Sequence, residues 1–435
     1  VIAPLILAAA LSLQDTTHLT LADAVRRALA NHPSVAAARD NQAAAAASVG
    51  EARAPLFPRL TAAFSATQYK IGNLVYPLSG LSATNPPLFN STLSQASLSL
   101  GWTLFDFGGR ASQLRLAQAQ EKKAGAVLDA AAAALISRVA NAYLRVLTTR
   151  GVLGAQEQER AALEAEAHRV AQMEAQGKAA HVEVLRLAAE VSRARADEVG
   201  TRAQLDVAER DLAQMVDLPA ETARAELVPV RLNDTSVADR ASLVATAQQN
   251  SPEVAQARRA AEAATAGIGV ARASLLPQLQ LTAAYVEYGH TFTGYRPWWN
   301  AGLQLSYPIF TGGSRGAAIR RTEAGAKAAA EQLRAAQQGS ELSVDGALAT
   351  VTAARATVDA LVTAVAQSAE VERIRLLSVQ VGSGTETDYL EAEARLLSNR
   401  AALVQARNAE IAARIELARV TGVLTPDWLT RTVSQ

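Results

Sequence analysis

The sequence has no cysteine in 435 residues. That excludes a disulfide scaffold, a thiolate nucleophile, a cysteine-ligated metal and, within this sequence, a lipidated N-terminal cysteine. Net charge is nearly absent too: 42 basic against 41 acidic residues leave +1, whereas a nucleic-acid binder needs a basic face. Histidine is sparse and scattered, and His181 with Glu183 shares no ligand spacing with another histidine. No metal site is therefore expected. The chain lacks a nucleophile elbow and a phosphate loop, so neither catalysis nor a cofactor is expected. Aromatics make up only 4% and charged residues 19%, while alanine dominates. That composition does not suit a compact globular enzyme.

The few aromatics are concentrated. Eight lie between Phe57 and Phe107 and eight between Tyr285 and Phe310. Charge does the reverse, with no Asp, Glu, Lys or Arg from Ile71 to Phe105 or from Pro297 to Ser314. Both windows alternate. Ala96, Leu98, Leu100, Trp102 and Leu104 interleave with Gln95, Ser97, Ser99, Gly101 and Thr103. Trp299, Ala301, Leu303, Leu305, Tyr307 and Ile309 do the same, and Leu279 to Tyr285 form a third run. Period two predicts strands with one apolar and one polar face. Two readings stay open at this point, the half-buried sheet of a soluble protein and a transmembrane β-barrel with a polar lumen.

The remainder is rich in Ala, Leu, Glu, Gln and Arg, all strong helix formers. From Arg110 to Gln176 there is no proline, which predicts one helix about 100 Å long at 1.5 Å per residue. Gly316 to Val381 is similar. Leu128, Ala132, Leu135, Val139, Tyr143 and Val146 mark one helical face. Leu390, Leu397, Val404 and Ile411 recur at sevens, which is coiled-coil spacing.

The chain is duplicated. Asn31-His32-Pro33-Ser34-Val35 matches Asn250-Ser251-Pro252-Glu253-Val254, and Gly108-Gly109 matches Gly312-Gly313. Gly177 with Leu185 matches Gly382 with Leu390. The expected first repeat is 15–216, with helices 18–30, 34–55, 110–176 and 179–216 and strands 59–70 and 92–105. The expected second repeat is 240–422, with helices 240–248, 252–274, 314–381 and 385–421 and strands 278–288 and 298–309. The first hairpin loop is expected over 71–90 and the second, shorter, over 290–297. A linker 217–239 joins the repeats and a tail 423–435 follows. Residues 1–14 resemble the apolar region of a secretory signal peptide and are expected to be its remnant; a mature apolar tail is the alternative. Two strands per copy give four per chain, too few to close a barrel, so a membrane sheet requires several chains.

Here the chain resembles an outer membrane efflux protein of the TolC family. The resemblance rests on Leu19-Thr20-Leu21-Ala22-Asp23-Ala24-Val25 with Asn31-His32-Pro33, and on Leu56-Phe57-Pro58 and Leu275-Leu276-Pro277-Gln278. It rests also on Trp102-Thr103-Leu104-Phe105-Asp106-Phe107-Gly108-Gly109 and above all on Val381-Gly382-Ser383-Gly384-Thr385-Glu386-Thr387-Asp388-Tyr389-Leu390. It covers about residues 18 to 424. The implied fold is mainly α with a membrane β-barrel portion: a homotrimer whose twelve-stranded barrel lies in the outer membrane of a Gram-negative bacterium and continues into a periplasmic helical tunnel. The implied role is a passive, gated exit duct, not an enzyme. The implied partners are outer membrane lipid, a periplasmic adaptor and, through it, an inner-membrane RND, ABC or MFS transporter. A structural coiled-coil envelope protein without a channel is the alternative, but it leaves the paired charge-free strands unexplained.

The resemblance also implies roles for single residues. The turns near Gly177 and Lys178 and near Val381, Gly382, Ser383, Gly384 and Thr385 are expected at the periplasmic tip, against the adaptor. The first departs from the family pattern around its glycine. Asp388 and Glu391 match the two acidic residues that ring the founding member's entrance, while Val379 and Gly384 stand where that protein has a Tyr and an Arg. Thr385-x-x-Asp388 also reads as a plain helix cap. Gly108, Gly109, Gly312 and Gly313 are expected at the barrel–tunnel junction. Trp102, Phe105, Tyr295, Trp298 and Trp299 are expected as membrane-interface aromatics.

Overall fold

The computed structural model describes residues 18–76, 87–219, 226–233 and 236–434. The expected signal remnant lies outside them, as do 77–86 of the first hairpin loop and parts of the linker. In chain order the first half holds β1 (His18–Leu19), α1 (Leu21–Asn31), α2 (Pro33–Arg53), β2 (Arg59–Leu74), β3 (Phe89–Phe105), α3 (Gly109–Ala175), α4 (His181–Val216), β4 (Glu226–Leu227) and β5 (Arg231–Leu232). The second half holds α5 (Arg240–Asn250), α6 (Pro252–Ala273), β6 (Gln278–His290), β7 (Thr293–Ser306), α7 (Ser314–Gln380), α8 (Glu386–Val420), α9 (Pro426–Thr432) and β8 (Val433–Ser434).

Contacts divide the chain into two units, and the division cuts across the repeats. One unit is Val1–Arg39, Val127–Ala255 and Ala336–Gln435; the other is Asp40–Ala126 and Gln256–Ala335. Each unit draws on both copies.

The first unit holds the buried cores. Leu135, Val139, Tyr143 and Val146, successive members of the predicted α3 face, are fully buried with Leu21, Val25, Leu212 and Ile415. A smaller core joins Val344, Val351, Ala413, Leu417 and Ala247. Tyr143 ties short strands to this core: its hydroxyl lies 2.8 Å from both Leu19 O and Val228 O. Burial raises its pKa well above the usual phenol value; the buried phenolate is the costly form. β1 pairs with β4 in parallel, and β5 pairs with β8 antiparallel, so the linker pairs with both ends of the described chain. The tail is not featureless: Pro426 opens α9 and Thr425 Oγ1 caps it, accepting Trp428 N–H at 3.1 Å.

The α3–α4 hairpin is cross-linked along its length. Arg150 pairs with Glu209, Glu157 with Arg202, Arg160 with Glu198 and Glu164 with Arg195, at 2.5 to 2.8 Å. Each step along α3 is answered by an equal or near-equal step back along α4, the register of two antiparallel helices. The expected heptad stripe on α8 holds at Ile411, which is buried in the main core, and is displaced by one residue farther toward the turn. There Leu396 and Leu403 are buried, while Val404 is 40% exposed and lies against Gly151 of α3.

The second unit holds one sheet, ordered β2-β3-β6-β7, with every pair antiparallel. β7 starts earlier and ends earlier than expected. A two-residue turn, Thr291-Phe292, replaces the expected loop over 290–297. Pro308 has no N–H to donate, and the ladder stops before it, at Ser306. Pro297 is tolerated inside β7 because β7 is an edge strand.

Candidate functional site

Strand register sorts the sheet into two faces. Ala62 pairs with Leu98, Leu98 with Tyr285, and Tyr285 with Trp299. The neighbouring row on that face is Leu60, Leu100, Ala283 and Ala301, and the next contains Trp102, Leu281 and Leu303. The opposite face carries Thr61, Ser99, Ala284 and Asn300 in one row and Thr103, Gln280 and Gln304 in another. Nothing in the described chain covers the apolar face: Leu60, Phe64, Trp299, Leu303 and Leu305 are each at least 60% exposed. Such a face, contiguous and uncovered, marks a surface that meets something other than water. Toward the hairpin end, Glu287 joins the row of Phe64, Ala96 and Pro297 and accepts a hydrogen bond from Tyr285 Oη at 3.1 Å.

The two long hairpins turn in the same way. Gly177 N–H donates to Glu174 O and Lys178 N–H to Met173 O, with Gly177 at φ 70°. Gly382 N–H donates to Val379 O and Ser383 N–H to Ser378 O, with Gly382 at φ 77°. Both are Schellman caps, whose left-handed residue favours glycine. Thr385 Oγ1 then caps α8 by accepting Asp388 N–H at 3.2 Å, whereas Ala180 offers α4 no side-chain cap. Gly384 is constrained by packing: a Cβ there would sit 2.8 Å from the Ser378 Cβ.

Asp388 and Glu391 line one groove of about 340 Å³ between α7 and α8. Two arginines line it with them. Arg375 Nη1 lies 3.8 Å from Asp388 Oδ2, and Arg395 sits one turn beyond Glu391. Among the described residues no group of three or more His, Cys, Asp or Glu is arranged to hold a metal ion.

A family model described as "Outer membrane efflux protein" matches residues 24–216 and 243–423. The chain belongs to this family. It is 28% identical over 392 residues to Protein CyaE of Bordetella pertussis, covering 88% of this chain and 79% of that one. It is 24% identical over 416 residues to Outer membrane protein TolC of Salmonella enteritidis, covering 92% and 81%. Its fold is that of a membrane protein crystal structure from Pseudomonas aeruginosa, with a TM-score of 0.77 at 24% identity over 92% of this chain and 90% of that chain.

As an outer membrane efflux protein, the chain is a non-catalytic transport conduit of the outer membrane with a large periplasmic helical portion. Membership implies partners in a tripartite efflux system. Against that role the anticipated residues separate into groups. Trp102 and Phe105 lie at one end of the sheet, where Trp102 Nε1 donates to Leu56 O at 3.1 Å and a register shift pairs Phe105 with Leu279. Tyr295 lies toward the other end, its ring against Gly289. Trp298 is a correction: it pairs with Val286 on the polar face, opposite Trp299. Successive strand residues point to opposite faces, so Trp298 and Trp299 do not share a face. Gly108, Gly312 and Gly313 all have positive φ, but Gly109 begins α3 with an ordinary φ beside Asp106. Sequence reading overlooked Asp106 and Arg110 beside Gly108 and Gly109. Asp106 Oδ2 accepts from Arg110 N at 2.7 Å, and the Arg110 guanidinium reaches Pro55 O and Leu104 O. It also overlooked Arg375, whose signal was its position opposite Asp388 across the turn.

Proposed function

We propose that three copies of this chain share a twelve-stranded barrel in the outer membrane of a Gram-negative bacterium and continue it as a periplasmic α-helical tunnel. The observation that carries the reading is the sheet, four strands with two open edges and one uncovered apolar face. Open edges are not tolerated in hydrocarbon, so such a sheet enters a bilayer only by closing with further copies. Three copies with closed rotational symmetry give twelve strands. Leu279 to Glu287 spans about 27 Å of strand, or about 21 Å once tilted by about 40°, close to the apolar band of a membrane barrel. Trp102 and Phe105 at one boundary, with Tyr295 and Trp299 toward the other, supply interfacial rings.

In this reading the α3–α4 and α7–α8 turns form the periplasmic tip. Gly177, Lys178 and the run Val381, Gly382, Ser383, Gly384 and Thr385 face a periplasmic adaptor, which couples the duct to an RND, ABC or MFS transporter in the inner membrane. Val381, 75% exposed, supports that assignment. Asp388 and Glu391 from three chains place six carboxylates at the entrance, and Arg375 offsets part of the charge of Asp388. Gly108, Gly109, Gly312 and Gly313 mark the passage from barrel to tunnel. The duct is passive, and the transporter supplies the energy.

Adjacent substitutions test the sheet. Leu303→Arg puts a cation on the face assigned to lipid and is expected to cost about 2–4 kcal/mol and to reduce trimer yield in the membrane. Gln304→Arg, on the other face, is expected to leave trimer yield intact. Equal yields for the two variants contradict the assignment of faces.

A further inference from the structure

A second groove lies between α3, α4 and α8, about 220 Å³ in volume; it shares Glu391 with the one beside Asp388 but differs from it in lining. Its floor is apolar: Leu163 from α3, Leu187 from α4, and Leu390 with Ala394 from α8. Its rim is acidic, with Glu159, Glu166, Glu190 and Glu391 against the single cation Arg186. Two of those carboxylates are already neutralised. Glu166 is held by Arg169 through two short hydrogen bonds, and Glu190 by Arg186 at 2.7 Å, while Arg186 also pairs with Glu183. Among the described residues neither Glu159 nor Glu391 has a basic partner. They stand on different helices, α3 and α8, at the mouth of the same apolar pocket.

We infer that this groove is a binding site for organic cations that carry a compact apolar body. Charge complementarity selects the sign, since two uncompensated carboxylates beside a low-dielectric floor attract a cation more strongly than they do in open water. The floor selects against a hydrated metal ion, which would have to shed water against leucine side chains with too few oxygen ligands to replace it. A cavity below the usual drug-sized range admits a substituted ammonium with one ring, or the cationic end of a larger molecule. The two features act together: the ring covers Leu163, Leu187 and Leu390 while the ammonium lies between Glu159 and Glu391. The site stands apart from the duct reading, because occupancy is measured on the protein without any conduction.

The test uses the full chain, purified as its native assembly, with benzyltrimethylammonium as probe and saturation-transfer NMR or calorimetry as readout. Saturable binding is expected, at least ten-fold tighter than that of tetramethylammonium, which has the charge without the ring, or of benzyl alcohol, which has the ring without the charge. Glu159→Gln combined with Glu391→Gln is expected to weaken it at least ten-fold while oligomer size and helix content stay unchanged. Leu163→Asn, at the floor, is expected to weaken benzyltrimethylammonium and leave tetramethylammonium unaffected. Equal binding of the two ammonium ions, or binding unmoved by the double glutamine variant, overturns the inference. So does absence of saturable binding to the wild-type assembly, the outcome expected if a neighbouring chain or a partner helix fills the groove.

Discussion

At the α3–α4 turn Lys178 N–H reaches back to Met173 over 2.8 Å, and at the α7–α8 turn Ser383 N–H reaches back to Ser378 over 2.9 Å. Duplication has kept this backbone geometry while the side chains around it have diverged. The first hairpin is bolted by four Arg–Glu pairs and by His181 Nδ1 lying 2.7 Å from Glu174 Oε1 across the turn. In the second, among the described residues, the ion pair joining the helices is Arg375–Asp388 at 3.8 Å. Near its turn the second hairpin has a threonine cap and a glycine pressed against the preceding helix, and farther along α7 and α8 share the core of Val344, Val351, Ala413 and Leu417. Two repeats with one fold thus differ in what holds them, the first hairpin carrying ion pairs along its length and the second a built turn and an apolar core.

Substitutions that exchange these features separate the two. The largest effect is expected from Gly384→Ala, whose Cβ would crowd Ser378 and cost about 1–3 kcal/mol as overpacking. Ala179 already occupies the matching place in the first turn, so Ala179→Gly is expected to cost little. Comparing thermal midpoints of the two variants checks this, and equal shifts erase the distinction between the turns. Next comes Thr385→Ala, expected to cost about 1 kcal/mol by removing a helix cap, with faster amide exchange confined to the first turn of α8. The reverse change, Ala180→Thr, is expected to slow exchange at the start of α4.

Acid supplies the smallest and most selective effect. Hydrogen bonds from Arg195 hold Glu164, and hydrogen bonds from Arg160 hold Glu198, below the ordinary carboxylate range. A folded-state pKa lowered in this way stabilises the protein above the unfolded value of about 4.3 and ceases to do so as pH falls through the lowered value. Below about pH 4 the first hairpin is therefore expected to lose protection before the second. Hydrogen exchange across pH 3 to 6, with Glu164→Gln and Glu198→Gln as controls that flatten the response, measures it. Solvent reaches Glu164 and Arg195, which keeps their share of the effect modest and salt-sensitive, whereas Glu198 is buried.

Much of the fold was legible because long period-3.6 and period-2 patterns report burial directly. The uninterrupted helices and the four alternating strands follow from residues such as Leu135, Val139, Leu98 and Leu303. What stayed hidden depends on contacts between distant residues. Tyr143 read as one more apolar position, yet its hydroxyl joins Leu19 to Val228. Arg375 comes to Asp388 only through the α7–α8 turn, whereas Arg395 lies one helical turn beyond Glu391 in the sequence itself. Trp298 and Trp299 read together as a belt, although strand alternation separates them. Hydropathy alone would also mislead: α3 and α8's partner α7 each contain a stretch apolar enough to cross a membrane, since alanine raises the average. The sheet's uncovered face, not helix hydropathy, locates the membrane.

The most direct test of the account is the state of the full-length protein extracted from the outer membrane and reconstituted in planar lipid bilayers. The account predicts a trimer that dissociates only on heating and that opens a continuous, voltage-tolerant conducting pore. A stable monomer, or a trimer that inserts without conductance, would contradict it.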